Sequence, residues 1–163
     1  MWGTENSGPK AAQKESFAGR AAVICDHEDS EQDALALVEN IAKNLEMHLI
    51  YMNADAHDVH TAYISHISHI TSYALANTVL EKEREEDTIF QLASSGFSST
   101  VRLAKSHPEM WVPIFKQNKE NVLDVLNEHI TQLRKFKSAL EKENFELLEE
   151  LIKNANKIRG ILK

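Results

Sequence analysis

The longest regular pattern of apolar and polar positions runs from Ala56 to Leu80 and predicts a single α-helix. This stretch contains neither Gly nor Pro. Asp55 just before it is a suitable N-cap, because its carboxylate can accept a free backbone N–H of the first turn. The apolar residues spread over more than half of the circumference, which predicts a helix that several partners bury. They are Ile64, Ile67, Ile70, Leu75 and Val79.

A narrow polar strip lies within this apolar helix. Ser65 and His69 are four residues apart, and side chains at that spacing are neighbours on a helix. His57 and His60 point to roughly the opposite side, so the histidines of this helix cannot form one metal site. In one interpretation, Ser65 bonds a backbone carbonyl and His69 is a satisfied core histidine. In the other, the strip lines a pocket in which His69 faces a polar or anionic ligand.

Two short apolar runs precede the central helix, Ala21–Cys25 and His48–Met52, and each predicts a buried strand. Helical spacing of apolar residues lies between them. The order strand, helix, strand predicts a parallel pair joined by a right-handed crossover. Because two strands alone make a poor sheet, we interpret residues 1–53 as the tail of a larger α/β domain.

From residue 54 to residue 163 the pattern predicts only helices. The segment Ser94–Phe97 predicts a break, and a short helix is expected at Val101–Lys105. In the last third, apolar steps of three and four predict two long helices separated at Glu143 and Asn144. Their apolar stripes are wide, which leaves two interpretations. The helices either form a bundle with the central helix or cover each other in a homodimer.

Composition and charge exclude several classes of protein. The chain has 18 Lys plus Arg against 25 Asp plus Glu, a net charge of −7, which argues against sequence-independent nucleic-acid binding. It has no apolar run of membrane-spanning length and no signal-peptide pattern, so we expect a cytoplasmic protein without membrane contact. The single Cys25 excludes an internal disulfide. The five glycines form no dinucleotide fingerprint or P-loop, and we expect no metal site.

Two residues of the helical region each have two interpretations. Arg102 lies among apolar residues after a Ser- and Gly-rich break. It is either a surface or ion-pair residue or a bidentate clamp for a carboxylate. Trp111, between Met110 and Val112, is by default a core or interface residue.

Three segments carry a family resemblance when they are taken together. They read MWGTENSGP, HDVHTAYISHISHITSYALANTVL and SSGFSSTVRLAKSHPEMW, in this order. As a set they closely resemble the prephenate dehydrogenases and the related arogenate dehydrogenases. The resemblance implies a Rossmann domain that binds NAD or NADP, a helical domain that dimerises, and an active site between them. We therefore expect a mainly α chain, with residues 1–53 a β-α-β remnant of the Rossmann-type domain and residues 54–163 the all-helical dimerisation and substrate-pocket domain.

The resemblance also implies the reaction, the oxidative decarboxylation of prephenate to 4-hydroxyphenylpyruvate in tyrosine biosynthesis. Hydride leaves the ring carbinol for the nicotinamide, and the ring carboxylate leaves as carbon dioxide. Such chemistry needs a base or hydrogen-bond acceptor at the hydroxyl and cations near two carboxylates. The expected partners are prephenate or arogenate, and a second copy of the chain bound through the helical domain.

Residue by residue, the resemblance implies a substrate site. Ser65 and His69 would line the pocket for the substrate and the nicotinamide. Arg102 would hold a substrate carboxylate. Thr4 would contact substrate from a loop at the mouth of the site, and Glu5 in the same loop would act as a gate.

The resemblance implies supporting roles for three more residues. His57 and Asp58 would form a supporting pair near the cleft. Trp111 would lie at the dimer contact and reach toward the partner's site.

The chain departs from the family at its N-terminus. The family's catalytic histidine belongs to a His-Pro dipeptide just before the position of Met1, and neither that dipeptide nor the dinucleotide fingerprint occurs here. We therefore expect no catalytic residue in this chain, no NAD or NADP bound by it alone, and no activity of the chain alone. The alternative is a non-catalytic helical module that dimerises or senses an aromatic acid.

Overall fold

The computed structural model describes residues 8–13, 16–84 and 88–162. The chain divides into two compact units, Met1–Val122 and Leu123–Lys163. The expected domain boundary between residues 53 and 54 stays a prediction.

The first unit contains the predicted β-α-β segment. Strand β1 spans Ala21–Cys25, helix α1 spans Gln32–Asn44 and strand β2 spans His48–Met52. The strands pair in parallel, with Ala21 opposite His48 and Cys25 opposite Met52, so both predicted strands and their direction are confirmed. A small core lies between this sheet and the residues around α1. It consists of Ala22, Ala42 and Met47, against which Phe17 and Leu49 pack.

The central helical run has three parts rather than one. Helix α2 spans Ala54–Thr61, a π-helical segment spans Ala62–His66, and helix α3 spans Ile67–Glu83. The predicted cap at Asp55 is wrong. The side chain of Asn53 caps α2 instead, because its oxygen accepts the backbone N–H of Ala56 at 2.7 Å.

The central run is not buried on all sides within this chain, contrary to the prediction. Ile64 in the π segment is 76 % exposed, and Val59, Tyr63 and Leu80 are also exposed. The covered side is instead the one that carries the buried polar residues. Periodicity alone predicted the burial, but the neighbouring elements reach only part of the circumference.

The segment after α3 differs from its prediction. A 3₁₀ turn spans Ile89–Leu92, helix α4 spans Ser95–Thr100, and a second 3₁₀ turn spans Arg102–Lys105. The predicted break thus contains a short helix, and the predicted helix at Val101–Lys105 is a 3₁₀ turn. Helix α5 spans Pro108–Gln117 and continues through Pro113. These short elements pack against α3 and position Arg102.

The second unit is helical in its described residues. Helix α6 spans Lys119–Glu141, so most of it belongs to this unit, and helix α7 spans Phe145–Ala155. Glu143 between them has a left-handed backbone with φ of +50°, and the Asn144 side chain caps α7. The predicted pair of helices and their break are confirmed, and so is the mainly α fold class.

Candidate functional site

The π segment places a row of buried polar side chains at the centre of the candidate site. A π turn holds more residues than an α turn, so it redirects the side chains that follow. Ala62 opens the segment and has no exposed surface, and His66 closes it and is buried. His69 and Ser72 continue the buried row along α3 at steps of three residues.

His69 is held by two contacts and is only 2 % exposed. Its Nδ1 lies 3.0 Å from the backbone carbonyl oxygen of Ser65. Because a carbonyl oxygen only accepts, Nδ1 donates this bond, and the neutral ring presents a lone pair at Nε2. The predicted neighbours therefore meet, but through the Ser65 backbone rather than its hydroxyl. The bond satisfies one nitrogen and leaves the other as an acceptor.

Trp111 on α5 is the main packing partner of the two buried histidines. Its ring stacks on His69 with 3.4 Å between ring centroids and 27° between the planes. The His66 ring meets it edge-on at 6.0 Å, and Phe115 lies 5.4 Å away. Trp111 is 3 % exposed, so it is a core residue of this chain. Its expected contact with a partner subunit stays a prediction.

The side chain of Ser72 links the central run to the turn that carries Arg102. The buried Ser72 hydroxyl donates to the backbone carbonyl of Thr100 at 3.2 Å. Arg102 opens the next 3₁₀ turn and is exposed. Its positive charge acts on His69 strongly enough to help lower the pKa of the imidazole. The structure therefore brings Arg102 and His69 to the same region.

The pKa of each buried histidine is lowered from its ordinary value. For His69, burial is the main cause, the bond to Ser65 opposes it, and the charge of Arg102 adds to it. For His66, burial again dominates, the Asp58 carboxylate opposes it, and the neighbouring histidines add to it. Both rings are therefore neutral near pH 7.

Asn118 is a buried polar residue that the sequence reasoning missed. Its amide nitrogen lies 2.7 Å from the backbone carbonyl of Asp58 and 3.3 Å from Nδ1 of His66. Asn directly after a helix commonly marks a helix C-terminus. That pattern could have identified the position but not the histidine partner, which lies far away in the sequence.

The expected supporting pair is formed. Nδ1 of His57 lies 3.0 Å from a carboxylate oxygen of Asp58. Both residues line a polar pocket of about 280 Å³, together with Thr61, His66 and Asn118. His57 also lines an apolar hollow of about 400 Å³ on one face of the sheet. Other residues of that hollow are Val23, Ile50, Met52, His60 and Ile64.

The remaining predicted site residues, Thr4 and Glu5, lie outside the described residues. The structure therefore brings together His69, Ser65 and Arg102, and separately pairs His57 with Asp58. Their roles toward a substrate stay predictions.

Two searches of the described ranges gave negative results. In residues 8–13, 16–84 and 88–162, no group of three or more His, Cys, Asp or Glu side chains is arranged to hold a metal ion. Within those same ranges, no helix combines the length and apolar character needed to cross a membrane.

Comparison with protein families gives two matches that together cover most of the chain. The family described as prephenate dehydrogenase, dimerization domain, matches residues 53–154. The family described as prephenate dehydrogenase, nucleotide-binding domain, matches residues 1–51.

Individual relatives agree with these family matches. The chain is 29 % identical over 159 residues to a prephenate dehydrogenase of Bacillus subtilis (strain 168), covering 98 % of this chain and 43 % of the relative. It is 29 % identical over 162 residues to a cyclohexadienyl dehydrogenase of Zymomonas mobilis, covering 99 % of this chain and 55 % of that protein. The chain thus spans about half the length of the curated relatives it matches.

A solved structure is also similar along the whole chain. It is the prephenate dehydrogenase from Aquifex aeolicus in complex with hydroxyphenyl propionate and NAD+. The TM-score is 0.88 at 28 % identity, and the match covers 100 % of this chain and 57 % of that one.

Proposed function

The chain belongs to the prephenate dehydrogenase family, and we propose that it is the C-terminal part of an NAD(P)-dependent prephenate dehydrogenase. The intact enzyme would convert prephenate to 4-hydroxyphenylpyruvate and carbon dioxide while reducing the dinucleotide. This chain would supply half of the substrate site and the dimer interface. In this proposal residues 1–53 belong to the nucleotide-binding domain, residues 54–163 form the helical domain, and the enzyme is cytoplasmic.

The observation that carries the proposal is the meeting of Arg102 and His69. The substrate is a dicarboxylate with a ring hydroxyl, so it needs a cation and a hydrogen-bond acceptor close together. Arg102 offers the guanidinium, and its charge reaches the imidazole of His69. His69 offers the lone pair of Nε2, since its Nδ1 donates to the carbonyl of Ser65.

Each site residue then has a role in the proposed enzyme. Arg102 binds a carboxylate, His69 accepts a hydrogen bond, and Ser65 holds the His69 ring in place through its carbonyl and lines the pocket. Thr4 contacts substrate at the mouth of the site, and Glu5 gates it.

The paired side chains of His57 and Asp58 support α2 near the cleft. Their bond of 3.0 Å joins adjacent residues of the helix, and the Thr61 hydroxyl donates to the His57 carbonyl at 2.9 Å. These contacts stiffen the turn that precedes the π segment.

The described residues do not fit the phosphates of a dinucleotide. Such a cradle needs glycines at which a side chain would fill the space for the pyrophosphate. At none of the glycines of the described ranges would a Cβ meet another group within 4 Å. We therefore propose that NAD or NADP, which the Aquifex aeolicus relative binds as NAD+, is not held by this chain alone.

The first test is an activity assay of the chain alone. Purified chain with prephenate and either NAD or NADP is expected to form no reduced nicotinamide, because the dinucleotide cradle and the family's catalytic histidine are missing from its residues. Absorbance of reduced nicotinamide is the measurement, and the Bacillus subtilis relative in the same buffer is the positive control. Turnover by the chain alone would refute the half-site proposal.

Calorimetry with prephenate, arogenate and tyrosine extends the same test. A half-site lacks the contacts of the other domain, so we expect no tight binding of any of the three. Tight binding of one acid to the isolated chain would instead favour a sensing module. The same titrations would then identify which acid it senses.

We also propose that the chain forms a homodimer through its helical domain, and light scattering at micromolar concentration tests this. Apolar side chains of α6 and α7, including Leu133, Leu140 and Phe145, are more than half exposed within one chain. We expect twice the mass of one chain for the wild type. Leu140→Glu is expected to shift the mass toward that of a monomer, whereas the charge-matched Lys135→Gln on the same helix keeps the dimer. A monomeric wild type would contradict the proposal.

A further inference from the structure

We propose that Asn118 is a positioning residue that fixes His66 in the tautomer with hydrogen on Nε2, opposite to the tautomer of His69. The inference deepens the proposed function, since His66 adjoins the proposed substrate residue Ser65. It rests on the proposed function only for its relevance to a substrate. The hydrogen positions follow from the contacts themselves.

The first step is the orientation of the Asn118 amide. One atom of this amide lies 2.7 Å from the backbone carbonyl oxygen of Asp58. A carbonyl oxygen cannot donate, so the amide atom that faces it is the nitrogen. The other end, Oδ1, accepts a bond of 2.7 Å from the side chain of Asn121. Asn118 is buried at 7 % exposure, so water does not compete freely for these bonds.

The second step is the hydrogen-bonding role of His66. The same amide nitrogen lies 3.3 Å from Nδ1 of His66. An amide nitrogen donates and does not accept, so Nδ1 of His66 must offer its lone pair. The neutral ring then carries its hydrogen on Nε2. A protonated ring would direct an N–H at the N–H of Asn118, so the contact also disfavours the charged form.

The surroundings of His66 agree with a neutral ring. Burial lowers its pKa, the carboxylate of Asp58 raises it, and His69 and His57 lower it further. On the remaining side the ring meets only Trp111 and Phe115, edge-on at 6.0 and 6.3 Å.

Placed side by side, the two buried histidines offer opposite groups. Nε2 of His66 is an N–H donor, and Nε2 of His69 is an acceptor because Nδ1 donates to Ser65. One helical run therefore presents a fixed donor and a fixed acceptor three residues apart. Such a pair suits a hydroxy acid, whose hydroxyl donates and whose carboxylate accepts.

The direct test is the tautomer of each ring in the wild-type chain. Long-range ¹H–¹⁵N spectra of the labelled chain at neutral pH distinguish protonated from unprotonated ring nitrogens. His66→Gln and His69→Gln assign the signals by their loss. We expect hydrogen on Nε2 for His66 and on Nδ1 for His69. The same tautomer in both rings, or a charged His66 at neutral pH, would overturn the proposal.

Asn118→Asp tests the positioning role. A carboxylate accepts and cannot donate, so it favours hydrogen on Nδ1 of His66. We expect the pKa of His66 to rise by about one unit or more and the Nε2–H pattern to disappear. Asn127→Asp makes the same chemical change at an exposed position of α6 and is expected to leave His66 unchanged. An unchanged His66 in Asn118→Asp would overturn the assignment.

Asn118→Ala covers the case in which the aspartate variant fails to fold, as judged by circular dichroism. Without the amide, the His66 ring is expected to exchange between tautomers and give averaged nitrogen shifts. A persistent Nε2–H tautomer in this variant would show that Asn118 does not set it. These spectra are recorded without substrate, so their outcome is distinguishable from failure of the oxidation assay.

Discussion

Trp111→Ala is expected to lower the free energy of unfolding by about 3–5 kcal/mol, the cost typical of removing a buried tryptophan. The ring is 3 % exposed and stacks on His69, with His66 and Phe115 at its edges. Its removal leaves a cavity beside two histidines that no longer have an aromatic neighbour. Urea denaturation followed by circular dichroism measures the loss.

Val112→Ala is the matched control for this prediction. Val112 is the next residue on α5 but is 62 % exposed, so its truncation is expected to cost no more than about 0.5 kcal/mol. Equal losses in the two variants would contradict the core role of Trp111. If Trp111→Ala instead kept its stability and lost the dimer, the interface role implied by the family resemblance would be favoured.

Arg102→Gln is expected to weaken prephenate binding about 10- to 100-fold, since a hydrogen bond to a charged group is worth about 1.5–3 kcal/mol. The isolated half-site is expected to bind only weakly, with a Kd on the order of millimolar. The indole N–H signal of Trp111 is a suitable probe, because the ring stacks on His69. Its shift during a prephenate titration by NMR gives the Kd of each variant.

Lys105→Gln is the control for Arg102→Gln. It removes the same charge from the other end of the same 3₁₀ turn and is expected to leave the titration nearly unchanged. Equal weakening in both variants would mean that Arg102 acts only through general electrostatics. Arg102→Lys is expected to give an intermediate Kd, because lysine keeps the charge but not the two-pronged geometry.

The central helix shows how far periodicity reached. The pattern located the helical run and its polar strip, because helix spacing is local information. It could not reveal the π segment Ala62–His66, since one wide turn leaves no mark on the order of apolar and polar residues. The same limit explains the wrong expectation that all sides of the run are buried.

The segment around α4 shows a different limit. Its Ser- and Gly-rich composition predicted a break, yet Ser95–Thr100 is helical. The hydroxyls of Ser99 and Thr100 both donate to the carbonyl of Gly96 at 2.9 Å, so they satisfy that carbonyl within a short helix. Composition counted these residues as breakers, whereas their bonds in the fold support one turn.

The sequence by itself determined the two strands, the helix between them, the helical character of the rest and the family, because short apolar runs, helical spacing and motif order are all properties of the chain alone. It left Arg102 undecided between a surface residue and a carboxylate clamp. Only the tertiary structure brought Arg102 to His69, through the bond between Ser72 and Thr100, and only it joined Asn118 to His66. These are contacts between residues distant in sequence, which packing selects and no local pattern encodes.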